Sequence, residues 1–169
     1  GAGYANFQNL EKQLGPELVQ YVYNIDPSPA QNLNRNQLQK ELGPIIDEFL
    51  KRYNEKYKEA SPPAHATMGF THAWVLLQTM ELAVKKYGTP TADNIQKAAL
   101  EIDIPEGGTT SGYGVKFAPP GHKFSGQNLR CAPVVMQWVK GKVETVWPKA
   151  HQTIDPKLPA PKDWPLAVK

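Results

Sequence analysis

The chain has 169 residues, of which 40% are apolar and 21% charged, and its formal net charge is +3. That length fits one ordinary domain or an incomplete larger one, and the apolar share excludes wholesale disorder. The lysines form no basic block with interleaved aromatics, the lone Cys131 excludes an internal disulfide or a cysteine-based zinc site, and no apolar run approaches the ~18 residues of a membrane span.

The chain opens GAGYANF, with no initiator Met. Gly-Ala-Gly before a helical pattern normally follows a strand, which points to a first strand upstream and to a processed or truncated piece. Over residues 5–14, Phe7, Leu10 and Leu14 share one helix face; Gly15 sits where a helix ends and Pro16 stops continuation. LVQYVY, residues 18–23, is β-branched and aromatic on both faces and predicts a buried strand. Residues 26–39 are polar and turn-rich and predict a surface connection.

Pro44 opens a helix where its missing N–H costs nothing. Ile45, Ile46, Phe49, Leu50, Tyr53 and Tyr57 form its apolar stripe. Asp47/Lys51 and Glu48/Arg52 are spaced for i, i+4 pairing on a solvated face. SPPA at 61–64 breaks the chain. A long helix follows over roughly 66–87, apolar through Trp74, Val75, Leu76, Leu77, Met80, Ala83 and Val84, and Gly88 ends it. Thr91 is a good N-cap with Asp93 in the first turn, and Ile95, Ala98 and Ala99 face inward. Residues 105–112 predict a loop. From 131 the period changes, and APVVMQWVKGKVETVW reads as two strands joined at Lys140-Gly141. The last 22 residues hold five prolines and predict an extended strap. Interleaved helices and strands favour an α/β layer architecture.

Chemistry-bearing residues do not converge. Among His65, His72, His122 and His151 there is no HxH or HExxH pattern. His65 and His72 could share a helix face, but no third ligand lies near. Cys131, at the start of a predicted core strand, suits a small apolar role better than that of a nucleophile. Carboxylates cluster only on solvated helix faces, so no acid–base pair is evident and the chain reads as a non-enzyme with no cofactor. PAPKDWP at 159–165 could be a polyproline ligand, but a strap with Trp164 tucked into a groove is preferred. Trp138 and Trp147 alternate with core residues and read as packing.

The succession AWVLLQTMELAVKKYG, TPTADNIQKAAL, GYGVKFAPPGHKFSGQN and VVMQWVKGKVETVWP, with the closing PAPKDW, resembles the C-terminal portion of periplasmic solute-binding proteins of the branched-chain amino acid (LivJ-like, type I) family of ABC importers. The resemblance covers nearly the whole chain. It implies a three-layer α/β/α fold of two lobes that close on a small polar molecule, a secretion signal, and a longer protein whose N-terminal part is missing here. Residues 1–39 would then be the end of the second lobe and a crossover. Residues 40–112 would be a helical return into the first lobe, 113–147 sheet strands and the final crossover, and 148–169 the C-terminal strap.

The resemblance implies an extracytoplasmic, periplasmic or membrane-anchored protein that captures an amino acid or small organic acid and hands it to a membrane permease. The alternative is a ligand-sensing receptor domain of the same fold. It makes GVKFAPPGHKFSGQN a structural connection. In that stretch Gly114 and Gly126 allow turns, Pro119-Pro120 stop a strand, Asn128 caps backbone groups and His122 is a turn residue. Ligand contacts would come from helix N-termini at the cleft: Ala2, Gly3 and Tyr4 at one, and Phe70 at the other, with Trp74 as the alternative aromatic wall.

Overall fold

A computed structural model describes residues 7–58 and 61–158. The elements are α1 (Phe7–Leu14), α2 (Pro16–Val19), β1 (Tyr23–Asp26), α3 (Leu42–Tyr57), α4 (Ala64–Tyr87), α5 (Ala92–Glu101), β2 (Val134–Val139) and β3 (Lys142–Trp147). Helices and one small open sheet give an α/β arrangement. Its three strands run β1-β2-β3, each antiparallel to its neighbour.

Glycine and proline punctuation places the helix ends. Gly15 takes φ 86° and donates its N–H to Glu11 O, closing α1; Gly88 does the same for α4 at φ 82° through Val84 O. The Thr91 hydroxyl accepts the Asn94 N–H and caps α5. Pro44 falls within the first turn of α3, where no N–H partner is needed. The β2–β3 hairpin turns at Lys140 and Gly141, both with positive φ, which is the geometry a two-residue hairpin favours.

The first strand lies elsewhere than the apolar run suggests. Residues 16–19 of that region form a helical turn and Tyr21 adopts φ 66°; the strand begins only at Tyr23. The ladder starts earlier through backbone bonds alone: Tyr21 N–H donates to Trp138 O, and Trp138 N–H to Val22 O. The apolar run is split instead, with Val19 tucked against Trp138 and flanked by Leu10 and Val143. Within β1 the inward residues are polar: Asn24 and Asp26 are buried while Ile25 is half exposed. The Asn24 side-chain amide donates to the Asp26 carboxylate at 3.3 Å, so the pair supplies part of its own solvation.

The 26–39 connection is not merely a surface segment. Ser28 and Ala30 are buried, and two 3-10 turns, Ala30–Asn32 and Arg35–Gln37, fold it onto the helices. Ala30 N–H donates to the Thr67 hydroxyl, and the Asn32 side chain donates to Val143 O at 2.8 Å. Around it the main core gathers Ala30, Leu42 and Ile46, flanked by Leu33, Leu38, Phe49 and Trp74.

Of the two charge pairs expected on α3, Glu48–Arg52 forms at 2.7 Å, while Asp47 pairs with Arg35 at 3.0 Å rather than with Lys51. Trp138 is buried as expected, but Trp147 is 55% exposed because it ends β3 at the sheet margin. Cys131 is exposed and outside any strand; Pro133 delays β2 to Val134. The segment after β3 is described to Leu158. There Thr153 N–H donates to Thr145 O, and Lys157 N–H to the Gln137 side chain. Trp164 and the PAPKDWP motif lie outside the described residues.

Residues 104–130 form a compact connection. Bridges join Ile104 to Val115 and Phe117 to Asn128. The Asn128 carboxamide accepts the N–H groups of Lys116 and Arg130 and donates to Gly114 O, the backbone capping expected of it. His122 Nδ1 accepts the Phe124 N–H within an exposed turn. Asp103 meets Lys116 Nζ at 2.8 Å and also Arg130, tying the loop to the end of α5.

Candidate functional site

A groove of about 740 Å³ lies between α3 and α4. Its wall follows from spacing. Phe49, Tyr53 and Tyr57 recur every four residues along α3 and so stack on one face. Their successive ring centroids are 6.1 and 4.6 Å apart. Phe70, from the first half of α4, lies nearly parallel to Phe49 at 4.5 Å. Charge sits on the rim. The Arg52 guanidinium hydrogen-bonds Glu48 and holds its carboxyl below the usual carboxylate range, and Lys56 Nζ lies 5.2 Å from the Tyr57 ring centre. An aromatic wall with a charged rim offers shape and dispersion contacts.

Phe70 therefore stands in a stacked pair at one end of this groove. Trp74, one turn further along α4, is half buried and packs against the Ala30, Leu42 and Ile46 core. Ala2, Gly3 and Tyr4 lie outside the described residues, while Phe70 and Trp74 share α4, one turn apart.

Behind α4 is a hydroxyl cluster that the sequence did not single out. The loop called for at 105–112 carries Thr109, Thr110 and Ser111, all buried. The Thr71 hydroxyl donates to Thr67 O and lies 2.8 Å from the Thr110 hydroxyl and 2.5 Å from that of Ser111. Tyr113 closes the cluster with its hydroxyl 3.8 Å from Met68 Sδ, and burial pushes its phenol above the ordinary value. The available signal was the spacing Thr67, Thr71, Thr79 on a helix otherwise rich in leucine. Threonine on the inward face marks a neighbour that needs hydrogen bonds. This is a packing device: every one of these hydroxyls has a partner on the protein.

His65 and His72 are both exposed on α4. Among the described residues no group of three or more His, Cys, Asp or Glu side chains could hold a metal, and no helix is long and apolar enough to cross a membrane.

No family model matches the chain. Individual relatives do. It is 28% identical over 159 residues to Leu/Ile/Val-binding protein homolog 7 of Brucella suis biovar 1 (strain 1330), a match covering 94% of this chain and 36% of that protein. It is 30% identical over 150 residues to Leu/Ile/Val-binding protein homolog 8 of Brucella abortus (strain 2308), covering 88% of this chain and 33% of that protein. The same homolog 7 from Brucella melitensis biotype 1 (strain ATCC 23456 / CCUG 17765 / NCTC 10094 / 16M) matches over the same extent. The likeness to the branched-chain amino acid binding proteins read from the sequence motifs thus extends along nearly the whole chain, and the relatives are named as binding proteins. The chain spans about a third of the length of those relatives.

Proposed function

We propose that this chain is the C-terminal portion of the solute-binding component of an ABC importer, working in the periplasm or at the outer face of a membrane. It captures a small amino acid or carboxylate-type ligand between two lobes and presents it to a membrane permease. The observation that carries this reading is the similarity to Leu/Ile/Val-binding protein homologs over 94% of the chain. The relatives are named as binding proteins, which supports capture of a solute.

On this reading the fold is a type I periplasmic binding arrangement. Residues 1–39 leave the second lobe, 40–112 return to the first, 113–147 cross once more, and 148–169 strap the surface. The ligand sits where Ala2, Gly3 and Tyr4 meet an aromatic wall from Phe70 or Trp74. Unpaired N–H groups at a helix start hold the ligand carboxylate, and the ring covers an aliphatic side chain. Binding shifts an open–closed equilibrium because the closed form touches ligand with both lobes.

Thermal denaturation of the complete gene product tests this. Leucine, isoleucine or valine at a hundredfold excess over the dissociation constant adds about 2.7 kcal/mol to the folded state and raises the midpoint accordingly. An unmoved midpoint across aliphatic amino acids and small organic acids would count against the reading.

A further inference from the structure

Strand β2 reads VVMQWV, and its single polar residue, Gln137, is fully buried. A buried amide is costly unless its donors and its acceptor are met. The Gln137 Nε2 donates to Tyr21 O and to Lys157 O, both at 3.3 Å, and its Oε1 accepts the Lys157 N–H at 2.9 Å. Tyr23, Gln137 and Glu144 stand opposite one another across β1, β2 and β3, so their side chains share one face of the sheet. All three reach the same segment. The Tyr23 hydroxyl donates to Lys157 O at 3.1 Å, and Glu144 Oε2 accepts the Thr153 hydroxyl at 2.7 Å. Thr153 also pairs with the Thr145 backbone: its N–H donates to Thr145 O at 2.8 Å and its hydroxyl accepts the Thr145 N–H at 3.0 Å. The Gln152 side chain braces the stretch between through Ile154 O and the Asp155 carboxylate.

One row across the whole sheet is thus stitched to a single short segment. A change of twist between neighbouring strands has to shear those bonds. We propose that Thr153–Lys157 is a latch that restrains the relative movement of β1, β2 and β3, with Gln137 as its clasp. Gln137 is a positioning residue, since it holds strand and latch together. The consequence for function rests on the reading above that these strands cross between two lobes. There the latch slows reopening of the closed form and so sets how long a bound solute is held. Each such bond shifts an equilibrium only severalfold, so the latch can open locally while the core stays folded.

Amide hydrogen exchange of the complete gene product tests this. Gln137→Met removes the clasp, and Tyr23→Phe is a milder variant that removes one bond to Lys157 O. The Lys157 amide is expected to exchange at least about tenfold faster in Gln137→Met and about threefold to fivefold faster in Tyr23→Phe. The Tyr21 and Trp138 amides, which join the β1 segment to β2, should accelerate with it, while amides inside α4 keep their rates. An unprotected Lys157 amide in the unsubstituted protein would overturn the proposal. So would release of Lys157 with Tyr21 and Trp138 unmoved, and so would equal acceleration in α4, which would make Gln137 a general stabiliser. Should Gln137→Met not fold, Tyr23→Phe decides by the same criteria. Leucine release from the same samples is scored separately. Faster release from the variants supports the role in lobe movement, and an unchanged rate overturns it. An unsubstituted protein that binds no leucine removes the solute, and the exchange rates alone then decide the latch.

Discussion

The rings of Phe49 on α3 and Phe70 on α4 stack with their centroids 4.5 Å apart and their planes 17° from parallel. The two helices are otherwise linked through the core of Ala30, Leu42 and Ile46, so this stack closes the solvent side of their junction. Both rings are half buried. Truncating either one, Phe49→Ala or Phe70→Ala, is expected to cost about 2 kcal/mol, below the range for fully buried rings. The double variant should lose about 1 kcal/mol less than the sum, the coupling of an aromatic pair. Urea denaturation of the four proteins measures both quantities; additive losses would mean that the rings do not cooperate.

Gly107 and Gly121 separate two reasons for a glycine. Both have positive φ, but a Cβ on Gly107 would stand 2.1 Å from Gln37 O, while one on Gly121 would meet open space. Gly121→Ala should cost about 1 kcal/mol, the backbone term alone. Gly107→Ala should cost more than about 3 kcal/mol, because the 105–112 loop must leave the Arg35–Gln37 turn. Thermal melts of the two variants would give that order; equal losses would show that the close approach is relieved cheaply.

The buried hydroxyl cluster gives a third expectation. Thr71→Val keeps the shape but leaves the Thr110 and Ser111 hydroxyls without their shared partner. The loss should be about 1–3 kcal/mol, and Thr71→Ser should restore most of it. A neutral Thr71→Val would mean that water replaces the lost contacts.

Acid sensitivity follows from Asp103. The Lys116 ammonium, and after it Arg130, hold its carboxyl below the ordinary aspartate value. A carboxyl depressed in the folded state binds protons more weakly there than in the unfolded chain. Its contribution is complete above the unfolded value near 3.9 and fades as pH falls through the folded one. Stability against urea should therefore drop below about pH 4, and Asp103→Asn should flatten that limb of the profile while leaving its neutral side nearly level. An unchanged acid limb would assign the sensitivity to other carboxylates such as Glu101, which Lys86 and Tyr87 depress in the same way.

Where local chemistry decides, the sequence was readable. Gly15, Gly88, Thr91 and the Lys140-Gly141 pair place their helix ends and hairpin because each supplies a conformation or a cap that few residues can. β1 was misplaced because its strand character does not come from its own side chains. YNID is drawn into the sheet by pairing with Val134–Gln137, far along the chain, and tolerates inward Asn24 and Asp26 because they bond to each other. The burial of Ala30, Thr110 and Ser111 was equally hidden, since turn residues look alike whether water or a helix lies against them. The outward Leu77 was legible as apolar but not as exposed. At the candidate site, Phe70 was legible as an aromatic near a helix start; its stacking on Phe49 depends on how two helices cross, which no local pattern encodes.

The proposed function is capture of a small amino acid by the complete gene product. Calorimetric titration of the complete gene product with leucine, isoleucine and valine tests it most directly. One saturable site per polypeptide for at least one of the three is the expected result. Heats of dilution alone for all three, and for a panel of other amino acids and small carboxylates, would contradict it.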